Sequence, residues 1–135
     1  DSLQFAFAPE KDKNSKRTEI GLALMDGKPT IVRYSYAGGV SLLGIPDSAL
    51  EYDLNKFVDT DYAVTNNGSE TVYELKIPWG ELFGPSFTVG SVGSVYFSAL
   101  INDNDGNGRR GWIELCGGIG TVKDASEFTK IPLVK

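Results

Sequence analysis

One short stretch of the sequence carries oxygen ligands at the spacing of a calcium-binding loop. Asp103, Asp105, Asn107 and Glu114 occupy positions 1, 3, 5 and 12 of the pattern D-x-[DN]-x-[DN]-G-x5-E. Calcium takes six to eight oxygen ligands, and alternate residues of a tight loop can point their oxygens at one ion. Strands are predicted on both sides, and two arginines adjoin the loop, so a metal-free hairpin is the alternative.

Two tryptophans supply the largest aromatic rings of the chain. Such a ring can stack on the apolar face of a sugar while nearby polar groups hold its hydroxyls. Trp79 follows an apolar segment and is expected to pack in the core. If Ile113 and Leu115 face the core, alternation places Trp112 on the other side of its strand. The sequence leaves three roles open for Trp112: a ligand platform, part of a second interface, or core packing.

A second group of polar and aromatic side chains lies on one predicted strand near residue 35. Period-two alternation predicts Arg33 and Ser35 on one side of this strand, with Tyr34 and Tyr36 on the other. Guanidinium and phenol groups of this kind can hold sugar hydroxyls. The strand is therefore a candidate part of a binding surface.

Composition excludes several classes of catalytic site. The chain has no histidine, which removes most zinc sites, His-based triads and His-ligated haem. Glu19, Glu74 and Glu81 are available, but a glycosidase needs two acids facing each other across a cleft. We expect no enzymatic activity. The lone Cys116 is expected to be a small buried residue.

Charge and hydropathy restrict the partners. The net charge is −5 and no long basic run is present, so nucleic acid is not expected as a partner. No apolar run reaches the length of a membrane-spanning helix, so no membrane span is expected.

Alternation of apolar and polar residues is the main pattern along the chain, and it predicts strands. Asp26-Gly27 predicts a tight hairpin turn, and Trp79–Phe83 predicts one helical turn. Residues 37–58 are expected to be loop and short irregular pieces. The predicted strands cover residues 3–7, 20–24, 30–36, 73–77, 95–99, 111–116 and 129–134.

These strands predict an all-β fold, an antiparallel β-sandwich of the jelly-roll or immunoglobulin-like kind. The length of 135 residues and the apolar content of 41% suit a single domain over residues 1–135. A sandwich binds ligands at its loops or on an open sheet face. The candidate side chains can therefore form one binding site only if they lie on the same face of a sheet.

The order of several short motifs resembles a known family. These motifs are Asp1-Ser2-Leu3-Gln4-Phe5, Thr18-Glu19-Ile20-Gly21-Leu22, Tyr73-Glu74-Leu75-Lys76-Ile77-Pro78-Trp79, Asn102-Asp103-Asn104-Asp105-Gly106 and Arg110-Gly111-Trp112-Ile113-Glu114, with residues 128–133 closing the chain. The sequence resembles the family 9 carbohydrate-binding modules and their relatives in the DOMON-like superfamily. The resemblance runs along nearly the whole chain.

The resemblance implies a non-catalytic, sugar-binding β-sandwich of secreted or cell-surface bacterial proteins, often an accessory domain of a glycoside hydrolase. It implies plant or cell-wall polysaccharide as the partner and structural calcium as a cofactor. Members carried by xylanases hold the reducing end of a glucan between two Trp rings. Arg33 matches the family arginine and Glu19 its glutamate. With Tyr36 and Trp112, these form the predicted sugar-binding set.

Departures from the family pattern support an alternative function. Ser35 stands where the family has Asn, and Val122 stands where it has one clamping Trp. A structural or protein-interaction domain that has lost sugar binding is therefore the alternative. A haem-binding DOMON domain is disfavoured, because Met25 is the only methionine and histidine is absent.

The family also opens with earlier strands that carry a W-D-x-x-x-L-Y-type pattern. The sequence begins at the motif that follows them, so a partial domain is expected. Missing strands would leave sheet edges and apolar surface exposed. Dimerisation or strand exchange between chains is the expected way of covering them.

Overall fold

The computed structural model describes residues 1–37, 57–104 and 106–134, and this part of the chain has the predicted all-β fold with antiparallel sheets. One short helix, α1, covers Trp79–Phe83. The strands are β1 (Ser2–Ala8), β2 (Thr18–Met25), β3 (Lys28–Ser35), β4 (Asp61–Asn66), β5 (Thr71–Lys76), β6 (Ser94–Asp103), β7 (Gly111–Glu114) and β8 (Thr129–Pro132).

A six-stranded main sheet has the order β3-β2-β1-β6-β7, and β8 also pairs with β6. β7 and β8 share one edge of β6, since β7 pairs with residues 100–103 and β8 with residues 94–97. Asp26 and Gly27 join β2 to β3 with φ angles of 50° and 75°. Two positive φ angles in a two-residue connection match the predicted hairpin turn.

The two faces of the main sheet are covered differently. On the inner face, Leu3, Phe5 and Phe7 pack with residues of the β4–β5 hairpin and α1, among them Leu75 and Leu82. On the outer face, the segment from 115 to 128 covers one end of the sheet, and its core residues are Ala6, Ala8, Leu100, Ile119, Ala125 and Phe128. The remainder of the outer face is free of this cover and carries polar side chains.

Hydrogen bonds fasten α1 to the main sheet. Thr18 Oγ1 donates to the carbonyl oxygen of Leu82, and Tyr36 Oη donates to that of Gly80 at 3.0 Å. Arg33 is paired with Glu81 of the same helix at 2.5 Å. The helix thus closes the inner layer over β2 and β3, although five residues alone would not hold a stable helix.

An aromatic cluster lies beside this helix. Trp79 stacks on Phe83 at a centroid distance of 6.1 Å and also contacts Phe7 and Phe87. Core packing, which the sequence predicted for Trp79, is what the structure has. Over the described ranges, no helix is both long enough and apolar enough to cross a bilayer.

Several details differ from the sequence-based expectations. β4 was not predicted, and most of the segment predicted as irregular, residues 38–56, lies outside the described residues. Ile113 and Leu115, which alternation would place in the core if Trp112 faces out, are 80% and 70% exposed. β7 is the last strand in the order β3-β2-β1-β6-β7. Its inner-face side chains therefore extend beyond the β4–β5 hairpin that covers the inner face. Cys116 is only partly buried.

Candidate functional site

A groove of about 510 Å³ lies on the outer face, across β3, β2, β1 and β6. We call it the outer groove. Its floor is low because small residues lie side by side on neighbouring strands, with Ser2 paired to Ala23 and Ala23 paired to Thr30. Its remaining lining comes from Asp1, Gln4, Gly21, Leu22, Leu24, Met25, Val32, Tyr34, Asn102, Asn104 and Arg109. The volume suits a small organic ligand.

Tyr34 forms one wall of the outer groove because the β2–β3 pairing contains a bulge. Ile20 pairs with Arg33, but the next residue, Glu19, pairs with Ser35, so Tyr34 is the extra residue. Its ring leans over Gly21, where an added Cβ atom would lie 2.6 Å from the Tyr34 hydroxyl oxygen. The side chain is 56% exposed. A glycine floor and a bulge together present one aromatic ring to solvent.

Arg109 and Trp112 form the opposite side. The Arg109 guanidinium carbon lies 4.5 Å from the Trp112 ring centroid, within the range of a cation–π contact. Arg109 Nη1 also donates to Asn102 Oδ1 at 3.2 Å. Trp112 is 38% exposed, and its Nε1 donates to Glu114 Oε2 at 3.4 Å. The ring thus orients the arginine that borders the groove.

A chain of hydrogen bonds crosses the groove beneath these walls. Asn102 Nδ2 donates to Ser2 Oγ at 3.1 Å and to Gln4 Oε1 at 3.4 Å. Gln4 Nε2 in turn donates to Glu19 Oε1 at 2.5 Å. The two amide groups are therefore held in fixed orientations, which reduces the entropy lost when a ligand binds them.

Glu19 anchors the far end of this chain as a buried carboxylate. It is 3% exposed. Arg17 Nε lies 3.3 Å from Glu19 Oε2, and Lys123 Nζ donates to Glu19 Oε1. Two cations and an amide satisfy the charge, as a buried carboxylate requires. Glu19 positions Gln4 and lies below the ligand-accessible surface.

The outer groove has the chemistry of a site for a hydroxyl-rich ring. One exposed aromatic side chain offers an apolar platform at Tyr34. Amide groups of Gln4 and Asn102 and the guanidinium of Arg109 offer donors and acceptors on the other side. Apolar contact on one side with directional hydrogen bonds on the other is how proteins bind sugar rings.

The structure separates the four residues predicted to bind sugar. Glu19 and Trp112 lie on the outer face, one buried below the groove and one behind Arg109. Arg33 is only 2% exposed on the inner face, and the Tyr36 hydroxyl is bonded to Gly80. The structure therefore does not bring Arg33 and Tyr36 to the outer groove. Arg33 faces inward because it pairs with Ile20, and the bulge at Tyr34 shifts the alternation after it, so that Tyr36 also turns toward α1.

The predicted calcium ligands are separated as well. Asp103 pairs with Gly111 and Glu114 pairs with Leu100, which puts their side chains on opposite faces of the sheet. Glu114 Oε1 accepts the backbone N–H groups of Ile119 and Gly120 at 3.1 and 3.0 Å. The structure therefore does not bring Glu114 and Asp103 together.

The other two predicted ligands add no cluster that the structure shows. Asn107 is exposed, and Asp105 lies outside the described residues. No group of three acidic, histidine or cysteine side chains suited to a metal occurs in the described ranges. Calcium binding stays a prediction from the loop sequence.

Sequence reasoning missed Gln4, Tyr34, Asn102 and Arg109 as site residues. A signal was present for two of them. Gln4 and Asn102 are polar residues on the outer face of β1 and β6. Further along the same face, these strands carry the buried apolar residues Ala6, Ala8 and Leu100. Polar side chains toward one end of a face that is otherwise apolar mark the point where the cover ends.

A second cavity, of about 340 Å³, lies between the two layers on the inner face. Its described lining is apolar and consists of Leu3, Phe5, Phe7, Leu75, Ile77, Trp79, Leu82 and Phe97. The indole Nε1–H of Trp79 is the one side-chain donor among these residues, so this cavity has few groups to orient a ligand. The outer groove is therefore the candidate functional site.

Comparison with known proteins gives no match: no family model matches the sequence, and neither does any curated protein or solved structure.

Proposed function

We propose that this chain is a non-catalytic carbohydrate-binding module that binds plant or cell-wall polysaccharide in the outer groove. The observation that carries the proposal is the exposed ring of Tyr34 on a glycine floor, facing the hydrogen-bonding wall of Asn102 and Arg109. Burial of Glu19 beneath three partners supports a binding role over a catalytic one, because its carboxylate is already engaged.

The motif order described for the sequence supports the same proposal, since sugar binding is what that resemblance implies. It also supports a location at the bacterial cell surface or outside the cell, where such polysaccharides occur. The groove differs in composition from the residue set inferred by resemblance, because Arg33 and Tyr36 take no part in it.

Affinity electrophoresis and calorimetry against a panel of soluble glucans, xylans, mannans and bacterial cell-wall polysaccharides test the proposal. We expect at least one polysaccharide to bind. Tyr34→Ala should weaken that binding about tenfold, the loss expected for one stacked ring. Tyr62→Ala is the matched control, because Tyr62 is a 38% exposed tyrosine on the other sheet.

Two results contradict sugar binding in this groove. In the first, the folded protein binds none of the polysaccharides. The other is an equal loss of affinity in the two tyrosine variants, which would place the ligand away from the groove.

A second candidate function, contact with another protein chain, is favoured by the exposure of Ile113 and Leu115. Both side chains lie at the β7 end of the inner face, next to the 38% exposed Ile101. Contiguous exposed apolar side chains of this kind mark protein interfaces. The oligomeric state in solution distinguishes this candidate from sugar binding.

A further inference from the structure

We propose that the outer groove binds polysaccharides that contain uronic acids, with the guanidinium of Arg109 on the sugar carboxylate. The inference rests on the proposed function and names the class of sugar that the groove takes.

Arg109 lines the groove and has no carboxylate partner in the part of the chain that the structure describes. Its contacts there are the Trp112 ring and Asn102 Oδ1. Arg17 and Arg33, by contrast, each pair with a glutamate, at 3.3 and 2.5 Å. The charge of Arg109 is therefore left for a ligand to neutralise.

The two contacts of Arg109 orient its guanidinium and leave one edge of the group without a partner. Nη1 donates to the buried Asn102, while the Trp112 ring packs against the guanidinium. No described residue accepts a hydrogen bond from Nε or Nη2. These two nitrogens form a planar edge that can bind a carboxylate through two parallel hydrogen bonds. Because the ring and the amide already restrict the side chain, less entropy is lost when a carboxylate binds.

The charged groups around the groove favour an anion, although the whole chain has a net charge of −5. Asp1 and Arg109 are the charged residues of the described lining. Below them, the buried Glu19 carboxylate is paired with two cations, Arg17 and Lys123. Cations therefore outnumber carboxylates by one at this place, which favours the approach of an anionic ligand.

Calorimetry with polygalacturonate, alginate and glucuronoxylan tests the inference. Each polymer is compared with the same polymer after chemical reduction of its carboxyl groups to primary alcohols, which removes the charge and keeps the linkages. We expect at least one native polymer to bind about tenfold more tightly than its reduced form, the gain from hydrogen bonds to a charged group at an exposed site. This preference should shrink as the salt concentration rises.

Variants of Arg109 test the position of the carboxylate. Arg109→Gln should abolish the preference for the native polymer and change the affinity for the reduced form little. Arg109→Lys should keep part of the preference, because lysine supplies the charge without the planar edge. Lys130→Gln is the control, since it removes the same charge from β8, outside the described lining of the groove, and should keep the preference. Circular dichroism shows whether the variants fold, and the comparison of native and reduced polymers on the parent protein needs no variant.

The outcomes separate this inference from the proposed function. Equal affinity for native and reduced polymers, or binding to neutral polysaccharides alone, overturns the inference but leaves sugar binding intact. An equal loss of preference in Arg109→Gln and Lys130→Gln also overturns it, because the attraction would then come from the charge of the whole surface. Absence of binding to every polysaccharide, native or reduced, overturns the proposed function and the inference together.

Discussion

Arg33 is a buried charged side chain on the inner face of the main sheet. Its guanidinium lies between the rings of Tyr36 and Phe57, at 5.1 and 4.2 Å from their centroids. One nitrogen bonds the Glu81 carboxylate at 2.5 Å, and the other Glu81 oxygen accepts the backbone N–H of Val58. Arg33 therefore ties β3, α1 and the chain near residue 58 together.

Arg33→Met should destabilise the fold by about 3–5 kcal/mol, because it leaves the Glu81 carboxylate buried without its partner. Urea unfolding measures the change. Lys76→Met is the matched control, since Lys76 and Asp61 form a pair whose side chains are 81% and 77% exposed. That loss should stay below about 1 kcal/mol. A stable Arg33→Met variant that loses polysaccharide binding would restore Arg33 to the binding site.

Tyr73 on β5 has a hydroxyl group that is buried without a hydrogen-bond partner among the described residues. Burial raises the pKa of this phenol above its ordinary value, since the phenolate is disfavoured away from water. The folded state thus holds the proton more tightly than the unfolded state. Stability from this group is fully present below the unfolded pKa near 10 and is lost as the pH rises through the folded pKa.

Tyr73→Phe should raise the free energy of unfolding at neutral pH by about 1 kcal/mol, because the unpartnered hydroxyl is removed. The decline in stability above about pH 10 should also become shallower. Urea titrations between neutral and alkaline pH check both effects. Tyr62→Phe, on the neighbouring strand, is the control and should change little. A destabilised Tyr73→Phe variant would mean that the hydroxyl is satisfied.

At the scale of elements, the alternating pattern predicted β1 to β3 and β5 to β8 with small errors at their ends. It missed β4, because Val64 is the only buried residue of this strand and one buried residue gives no alternating pattern. The same pattern misjudged the faces on β3, because a bulge adds one residue to the count at Tyr34. A bulge depends on how two strands pair, which a single sequence does not display.

The candidate site was predictable only in part for the same reason. The sequence identified Trp112 and Glu19, which do lie on the outer face. The groove itself arises where four strands bring residues near positions 2, 21, 34 and 102 together, and that juxtaposition is tertiary. The calcium pattern likewise joined Asp103 to Glu114 by spacing, although alternation within the hairpin sends them to opposite faces.

The loop after β7 is held by Glu114, and this gives a prediction for that element. Glu114→Ala should destabilise the fold by about 2 kcal/mol, because two backbone N–H groups and the Trp112 Nε1 lose a charged acceptor. The effect should be equal with added calcium and with a chelator. Thermal unfolding in both conditions measures it.

Glu70→Ala supplies the control for that experiment, since Glu70 is an exposed glutamate at the β4–β5 turn. Its stability should be close to that of the parent protein. If the chelator destabilises the parent protein and has no effect on Glu114→Ala, then Glu114 is a calcium ligand and its assignment as a loop cap is wrong.

At the scale of the whole molecule, the exposed apolar corner of the inner face is the feature that bears on assembly. Ile113 lies on β7 and Leu115 directly follows it, and no described strand pairs with the outer edge of β7. An open edge beside apolar side chains is a surface that a second copy of the chain can pair with.

We therefore expect concentration-dependent self-association, measured by sedimentation velocity. Ile113→Lys should abolish it, because a charge at the centre of the edge opposes pairing. Val134→Lys is the matched control, since Val134 is 87% exposed and lies outside the strands. A monomer at every concentration would contradict the expectation and weaken the protein-contact candidate.

The central place of β1 has a kinetic consequence. β1 pairs with β2 nearby, but on its other side it pairs with β6, where Ser2 lies opposite Asn102. β1 and β6 can pair only when segments about a hundred residues apart meet. Folding that depends on such distant pairing is slow, in the range of milliseconds to seconds. During synthesis on the ribosome, β1 to β3 emerge before β6, so the edge of β1 that pairs with β6 stays unpaired until β6 follows. The outer groove, which has lining residues on β1 and β6, is completed only by the same pairing.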